Sequence, residues 1–293
     1  MATLYGFIAI GLWGTLALLG TVTANIPAFQ LLSLCFSISA IIVIIKRITL
    51  KKPVFTKPSL TPTQWLLGII GLFGFHFCYF MALKFAPVIE VSLIVYLWPL
   101  LLATLVANKQ SRFRALIGGS LGFIGIAFII VGNGELTLNS DYQIGYVLAA
   151  ICAVIWGSYS WFLSTSDNEV EDIAWLSAVV ALLALIAHWQ FETSHWDFSL
   201  SEWGGILLLG LGPVGGSFYL WDIALKKGNQ QLLASLSFST PLISSVILAI
   251  AGFNAWSTNI IIALALILSG AMIANTNKKR SFDDAHIEAN IAP

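Results

Sequence analysis

The chain has 293 residues, 58% of them hydrophobic and only 10% charged, and its basic and acidic side chains cancel. Soluble domains carry about 25% charged residues, so this composition excludes one, and a neutral chain offers nucleic acid no basic surface. The first apolar run starts at Leu4 with no Lys or Arg before it, and others follow, which argues against a cleaved signal peptide.

Ten apolar runs follow in chain order, at about 3–21, 27–45, 64–84, 88–107, 113–132, 144–164, 173–190, 203–225, 232–251 and 256–275. Each can cross a ~30 Å hydrocarbon core as a helix. They are too long and unbroken for the ~10-residue alternating strands of a membrane barrel. The expected fold class is an all-α polytopic membrane protein with ten transmembrane helices. Cys35, Cys78 and Cys152 all fall inside these runs, with neither disulfide nor metal-ligand spacing, and read as small packing residues. No metal or other cofactor is expected.

If the N-terminus is cytoplasmic, thirteen of the fourteen Lys and Arg residues fall on the cytoplasmic side, and only Lys84 lies outside. The positive-inside rule therefore places both termini in the cytoplasm. The acidic cluster Asp167, Glu169, Glu171 and Asp172 reads as a solvated loop on the same side. Residues 277–293, basic and then acidic and polar, read as a disordered cytoplasmic tail.

The fourth run carries residues that a plain anchor would not. Glu90 is costly inside lipid unless paired. Tyr96 and Trp98 lie near mid-span, away from the interfacial belts where such rings collect. Pro99 lacks an N–H and crowds the carbonyl of Val95, which is tolerated at membrane depth only against protein or a polar cavity.

Much of this recurs 142 residues later. Gly68 matches Gly210, Gly74 matches Gly216, Ala82-Leu83-Lys84 matches Ala224-Leu225-Lys226, and Pro99-Leu100 matches Pro241-Leu242. With one more residue of offset, Trp13-Gly14 falls on Trp156-Gly157. Matches in order along both halves read as a duplication, with repeats at 1–134 and 142–276. Five spans per half is an odd number, so the second half enters from the opposite side. Inverted repeats of this kind are a recurring architecture of secondary transporters, with the substrate site near mid-membrane. The stripes Gly68/Gly71/Gly74, Gly210/Gly212/Gly216 and Gly118-x-x-x-Gly122 read as close-packing scaffold.

Helical spacing gathers the polar and aromatic residues on particular faces. His76, Tyr79 and Phe80 share one; Phe218, Trp221 and Asp222 share the matching one; Trp156, Tyr159 and Ser160 share a third. Glu90, Ile94 and Trp98 lie within one broad face of the fourth span. Phe238, Ser239 and Thr240 precede Pro241, which is expected to free the carbonyl of Ser237. An aromatic chamber with a few hydroxyls and one imidazole suits a ligand with a flat apolar side chain and a polar head. The candidate substrate-binding set is His76, Tyr79, Glu90, Tyr96, Trp98, Trp156, Tyr159, Trp221 and Ser239, with Pro99 and Pro241 as hinges. Some of these also have plainer readings. His76 also fits an interior histidine, Asp222 a surface pair with Lys226, and Glu90 a partner for Lys84 or water. The histidines are scattered and no hydrolase or nucleotide-binding motif is present, so neither catalysis nor an ATPase partner is expected. A small-molecule substrate and the lipid bilayer are the expected partners. A drug or metabolite exporter, a membrane enzyme and a structural partner protein remain as alternatives.

Ten spans in two inverted halves, each with Trp-Gly in its first helix, resemble the drug/metabolite transporter superfamily and its EamA-type repeats. Ile89-Glu90-Val91 with Tyr96-Leu97-Trp98-Pro99, and Thr240-Pro241-Leu242-Ile243-Ser244-Ser245, resemble the matching segments of the YddG-type aromatic amino acid exporters. The resemblance covers about residues 4–276, and the chain departs from it at Val95 and Phe238-Ser239. It implies an inner-membrane exporter of aromatic and other neutral amino acids, and of flat xenobiotic cations, that alternates access around a central cavity. Glu90, Tyr96, Trp98, Pro99 and Pro241 are carried over from the motif.

Overall fold

The computed structural model describes residues 1–131, 139–253 and 258–275, so the tail at 277–293 lies outside the described residues. Ten helical spans are long and apolar enough to cross a membrane. They are α1 (Ala2–Val22), α2 (Ala28–Thr49), α3 (Pro62–Phe85), α4 (Val88–Val106), α5 (Arg112–Val131), α6 (Ser140–Thr165), α7 (Val170–Phe191), α8 (Leu200–Lys227), α9 (Gln230–Ile250) and α10 (Thr258–Asn275). No strand occurs among the described residues. All ten predicted runs are present, with their ends moved by a few residues.

The packing follows the repeat. α5 lies along α10 and α2 along α7, each pairing a span with its counterpart in the other half. α3 packs on α6 as α8 packs on α1, and α4 packs on α6 as α9 packs on α1. Exchanging the halves reproduces these contacts, so the two inverted five-helix repeats interlock around one core, while α6 with α8 and α5 with α9 make contacts that have no equal counterpart.

Glycine sets how closely the spans approach. A Cβ on Gly118 would overlap the carbonyl oxygen of Gly270, so α5 and α10 touch backbone to backbone. Gly122, in the same stripe, instead receives the Phe238 ring of α9. In α3, Gly68 admits Leu176 of α7 and Gly71 admits the ring of Tyr159.

We call the side on which Ala2 begins the near face and the side of the α1–α2 turn the far face. The first turn of α2 is capped at the far face by another span. Pro27 precedes it and supplies no capping side chain. Glu192, just past α7, accepts from Phe29 N–H at 3.0 and 3.1 Å and from Gln30 N–H at 3.2 Å. A carboxylate is well placed there because a helix N-terminus carries exposed N–H groups and partial positive charge. The wholly buried His188 holds that carboxylate at 2.9 Å through Nδ1, while its Nε2 meets Ser194 Oγ at 2.7 Å.

The α5–α10 contact gives a direct test. Gly118→Val should destabilise the protein by about 3 kcal/mol, the upper end of ordinary overpacking, because the obstacle is backbone. Gly11→Ala, where a Cβ meets no atom within 4 Å, should leave the melting temperature in detergent unchanged or slightly raised. Equal melting curves for the Gly118 variant and the parent would refute the contact.

Candidate functional site

Five spans lose regular helical geometry at membrane depth. α1 is interrupted at Thr15, whose hydroxyl donates to the Leu12 carbonyl at 2.7 Å. α3 carries a wide π-helical turn at Ile70–Gly74. α4 breaks between Val95 and Trp98, and α9 narrows to a 3₁₀ turn at Ser237–Ser239. α8 breaks most completely, from Leu211 to Gly216 through Gly212-Pro213-Val214-Gly215. There a Cβ on Gly215 or Gly216 would overlap the carbonyl of Gly210 or Leu211. These two glycines therefore serve the break itself. Gly210 keeps the expected packing role, against Ile38 of α2.

The interruptions surround one cavity of about 290 Å³. It runs from Trp13, Trp98 and Trp156 at mid-membrane past His76, Tyr79, Phe80 and Phe218 to Thr23 and Ala28 beside the α1–α2 turn. Among the described residues, its lining contains no Asp, Glu, Lys or Arg. Irregular backbone at membrane depth is expected where it lines a cavity or is buried in protein.

The cavity's inner end is a cluster of four tryptophans from four spans. Trp13 meets Trp221, Trp156 and Trp98 edge to face, with centroids 5.0, 5.9 and 6.3 Å away. Trp98 meets Trp156 and Trp221 at 6.2 Å each. Trp13 Nε1–H donates to Ser217 Oγ at 2.9 Å, and Ser217 donates on to the Pro213 carbonyl at the α8 break at 2.7 Å. Trp221 Nε1–H donates to Ser160 Oγ at 3.1 Å. Buried indole N–H groups need such partners.

Between this cluster and the near face, polar contacts join the α6–α7 connection to its neighbours. Lys226 Nζ sits 2.9 Å from Asp222 Oδ2 and donates to the Asn168 carbonyl at 2.7 Å. Gln64 reaches Asp167 at 3.2 Å, Ser59 bonds to Asp172, and Lys46 and Arg47 pair with Glu171.

Of the sequence-predicted residues, His76, Tyr79, Tyr96, Trp98 and Trp156 line the cavity. The carbonyl of Leu72 lies 2.6 Å from His76 Nδ1, and since a carbonyl only accepts, that nitrogen carries a hydrogen. Trp221 is wholly buried behind Trp13 and Trp98, and Tyr159 packs beside Trp156 at 5.8 Å; neither reaches the lining. Glu90 stands apart, buried and accepting a 2.9 Å bond from the Tyr146 hydroxyl. Ser239 gives its hydroxyl to the Leu236 carbonyl at 2.6 Å, and the next residue, Thr240, faces the cavity in its place.

Pro99 and Pro241 differ from the expectation of mid-helix kinks. Each is the second residue of the segment after a break, where its missing N–H costs little. The Ser237 carbonyl is not freed; it accepts from the Thr240 N–H.

Trp13, Phe75, Pro213 and Val214 also line the cavity and were not among the predicted residues. Gly212-Pro213-Val214-Gly215-Gly216 was the available signal, since Gly and Pro interrupting an apolar run mark a discontinuous helix.

Ten spans interlocked as inverted repeats, with broken helices around a mid-membrane cavity, define a multi-pass membrane protein built as secondary transporters are. The model of the EamA-like transporter family matches residues 1–131 and 143–276. The chain belongs to that family. It is 39% identical over 285 residues to a protein of Ancylobacter novellus named aromatic amino acid exporter YddG, covering 95% of this chain and 98% of that one. An Escherichia coli protein of the same name is 25% identical, over 85% of this chain and 88% of its own. A crystal structure of a protein 39% identical to this chain superposes with a TM-score of 0.86, covering 94% of this chain and 96% of that one.

Proposed function

We propose that this protein exports aromatic and other neutral amino acids across the bacterial inner membrane by alternating access, with both termini in the cytoplasm. The observation that carries this reading is the uncharged, aromatic-walled cavity among the broken spans of both halves. Its volume and flat rings suit one aromatic side chain, and its few hydroxyls and one imidazole suit a polar head. The names of the relatives point the same way. His76, Tyr79, Tyr96, Trp98 and Trp156 touch the substrate. Trp221 and Tyr159 support that wall from behind, and Glu90 and Ser239 hold α4 and α9 in place.

Orientation rests on the distribution of Lys and Arg. It makes the far face periplasmic, so the cavity faces outward and the tryptophan cluster with the Lys226–Asn168 contacts closes the cytoplasmic side. The repeats at 1–134 and 142–276 move against each other, and the breaks before Pro99 and Pro241 are the flexure points. Neither a cofactor nor an ATPase subunit takes part, and the protein is not an enzyme.

A reporter that is active only in the periplasm, fused to the C-terminus, should be silent; activity there overturns the topology. Purified protein in liposomes loaded with labelled phenylalanine, tryptophan, threonine or a flat aromatic cation tests the activity. Release of phenylalanine and tryptophan is expected. Release of none of the four sinks the exporter reading, and chemical conversion without release favours an enzyme.

The same vesicles test the flexure points. Pro99→Ala and Pro241→Ala restore an N–H and let the two segments merge into a straighter helix. Each should keep its expression while slowing transport per molecule several-fold. Parental rates in both variants make the prolines scaffold.

A further inference from the structure

Along α9, every serine hydroxyl up to the end of the 3₁₀ turn is returned to its own backbone. Ser235 donates to Gln231, Ser237 to Leu233 and Ser239 to Leu236, at 2.9, 2.8 and 2.6 Å. Thr240 follows directly, lines the cavity and is buried, yet its Oγ1 has no hydrogen-bond partner. A helical threonine ordinarily gives this hydroxyl to the carbonyl three or four residues back. Elsewhere on the lining, Thr23 donates to Leu19, Trp13 to Ser217, and His76 Nδ1 to Leu72. Among the described lining residues, Thr240 carries the one polar side-chain atom that is both shut off from solvent and unbonded. Buried polar groups are nearly always satisfied, and an exception calls for a reason.

Position supplies one. Thr240-Pro241 corresponds to Trp98-Pro99 across the repeat. Trp98 fills its side of the cavity as part of the tryptophan cluster. Its counterpart is small and leaves a hydroxyl and free space beside it. The described lining residues also offer no counter-charge. A ligand of net charge would therefore be desolvated without compensation, whereas a zwitterion carries its own counter-ion and needs only hydrogen bonds.

We propose that Thr240 determines specificity: a step of χ1 to another staggered rotamer brings Oγ1 into the cavity, where it hydrogen-bonds the ammonium–carboxylate head of a net-neutral α-amino acid. The rings around His76, Phe80 and Phe218 take the side chain. The assignment rests on the exporter reading above.

The test compares parent, Thr240→Val and Thr240→Ser in proteoliposomes with phenylalanine, phenethylamine and 3-phenylpropionate. Valine keeps the shape and removes the hydroxyl. It should raise the KM for phenylalanine about tenfold, the scale of one hydrogen bond to a charged group, with the maximal rate within about twofold. Serine should restore the parental KM. Because the hydroxyl is unbonded without ligand, Thr240→Val should melt no lower than the parent, while the thermal shift given by phenylalanine shrinks. The parent should move phenethylamine and phenylpropionate at least about tenfold less efficiently than phenylalanine, since each lacks half of the head. A parental KM in Thr240→Val, or equal transport of phenethylamine, overturns the assignment alone. A parent that moves no amino acid overturns the exporter reading and the assignment with it.

Discussion

A backbone N–H or C=O inside a bilayer has no water to bond, so the spans must either stay helical or hide each irregularity against protein or a cavity. This chain takes the second course in α1, α3, α4, α8 and α9. The interruptions are made tolerable locally. Thr15 takes the Leu12 carbonyl, Ser217 takes the Pro213 carbonyl, and Ser237 and Ser239 take carbonyls one turn back. Short hydroxyl side chains beside the breaks of α1, α8 and α9 thus replace what regular helix would have provided, and in α3 His76 takes the Leu72 carbonyl beside the π turn. The cavity and the breaks depend on one another, since the breaks leave room for it and bring backbone groups to its wall.

The two halves solve this problem differently at matching positions. α3 accommodates an extra residue as a π turn at Ile70–Gly74, whereas α8 opens completely between Leu211 and Gly216. Trp98 faces Thr240 in the repeat alignment. A wider break and a smaller residue fall in the same half, and the cavity runs from the tryptophan cluster toward the far face. Large rings fill the near side, where each edge-to-face pair adds about 0.5–1.5 kcal/mol beyond burial. Sequence asymmetry between otherwise related helices thus accompanies the asymmetric placement of the cavity.

Much of this was legible in the sequence. Ten long apolar runs fix ten spans, and helical spacing alone put His76 with Tyr79, two residues that share the wall. What periodicity could not give was rotation about each helix axis. Tyr159 follows Trp156 by three residues, yet Gly71 draws its ring into the α3–α6 interface. Ser239 and Thr240 are neighbours, and the 3₁₀ turn determines which of them faces inward. Glycine spacing was ambiguous for the same reason. Gly68 and Gly118 admit neighbouring helices, whereas Gly215 and Gly216 let the chain turn, and both uses look alike in one dimension.

The near-face contacts differ in kind from the tryptophan cluster, and this bears on the proposed alternating access. Lys46 is half exposed and its pair with Glu171 is of the sort worth about 0–1 kcal/mol. Separating a buried ion pair is far more costly, about 3–5 kcal/mol, and Asp222–Lys226 is buried. Those two residues, however, lie four apart on one helix, so movement of α8 carries the pair intact. In the proposed cycle α8 would give up the hold of Lys226 on Asn168, in the α6–α7 connection. Under the proposed alternating access the buried Asp222–Lys226 pair would therefore stay within one helical segment, while the contacts that would part are the ones Lys226 makes to Asn168 and Lys46 makes to Glu171.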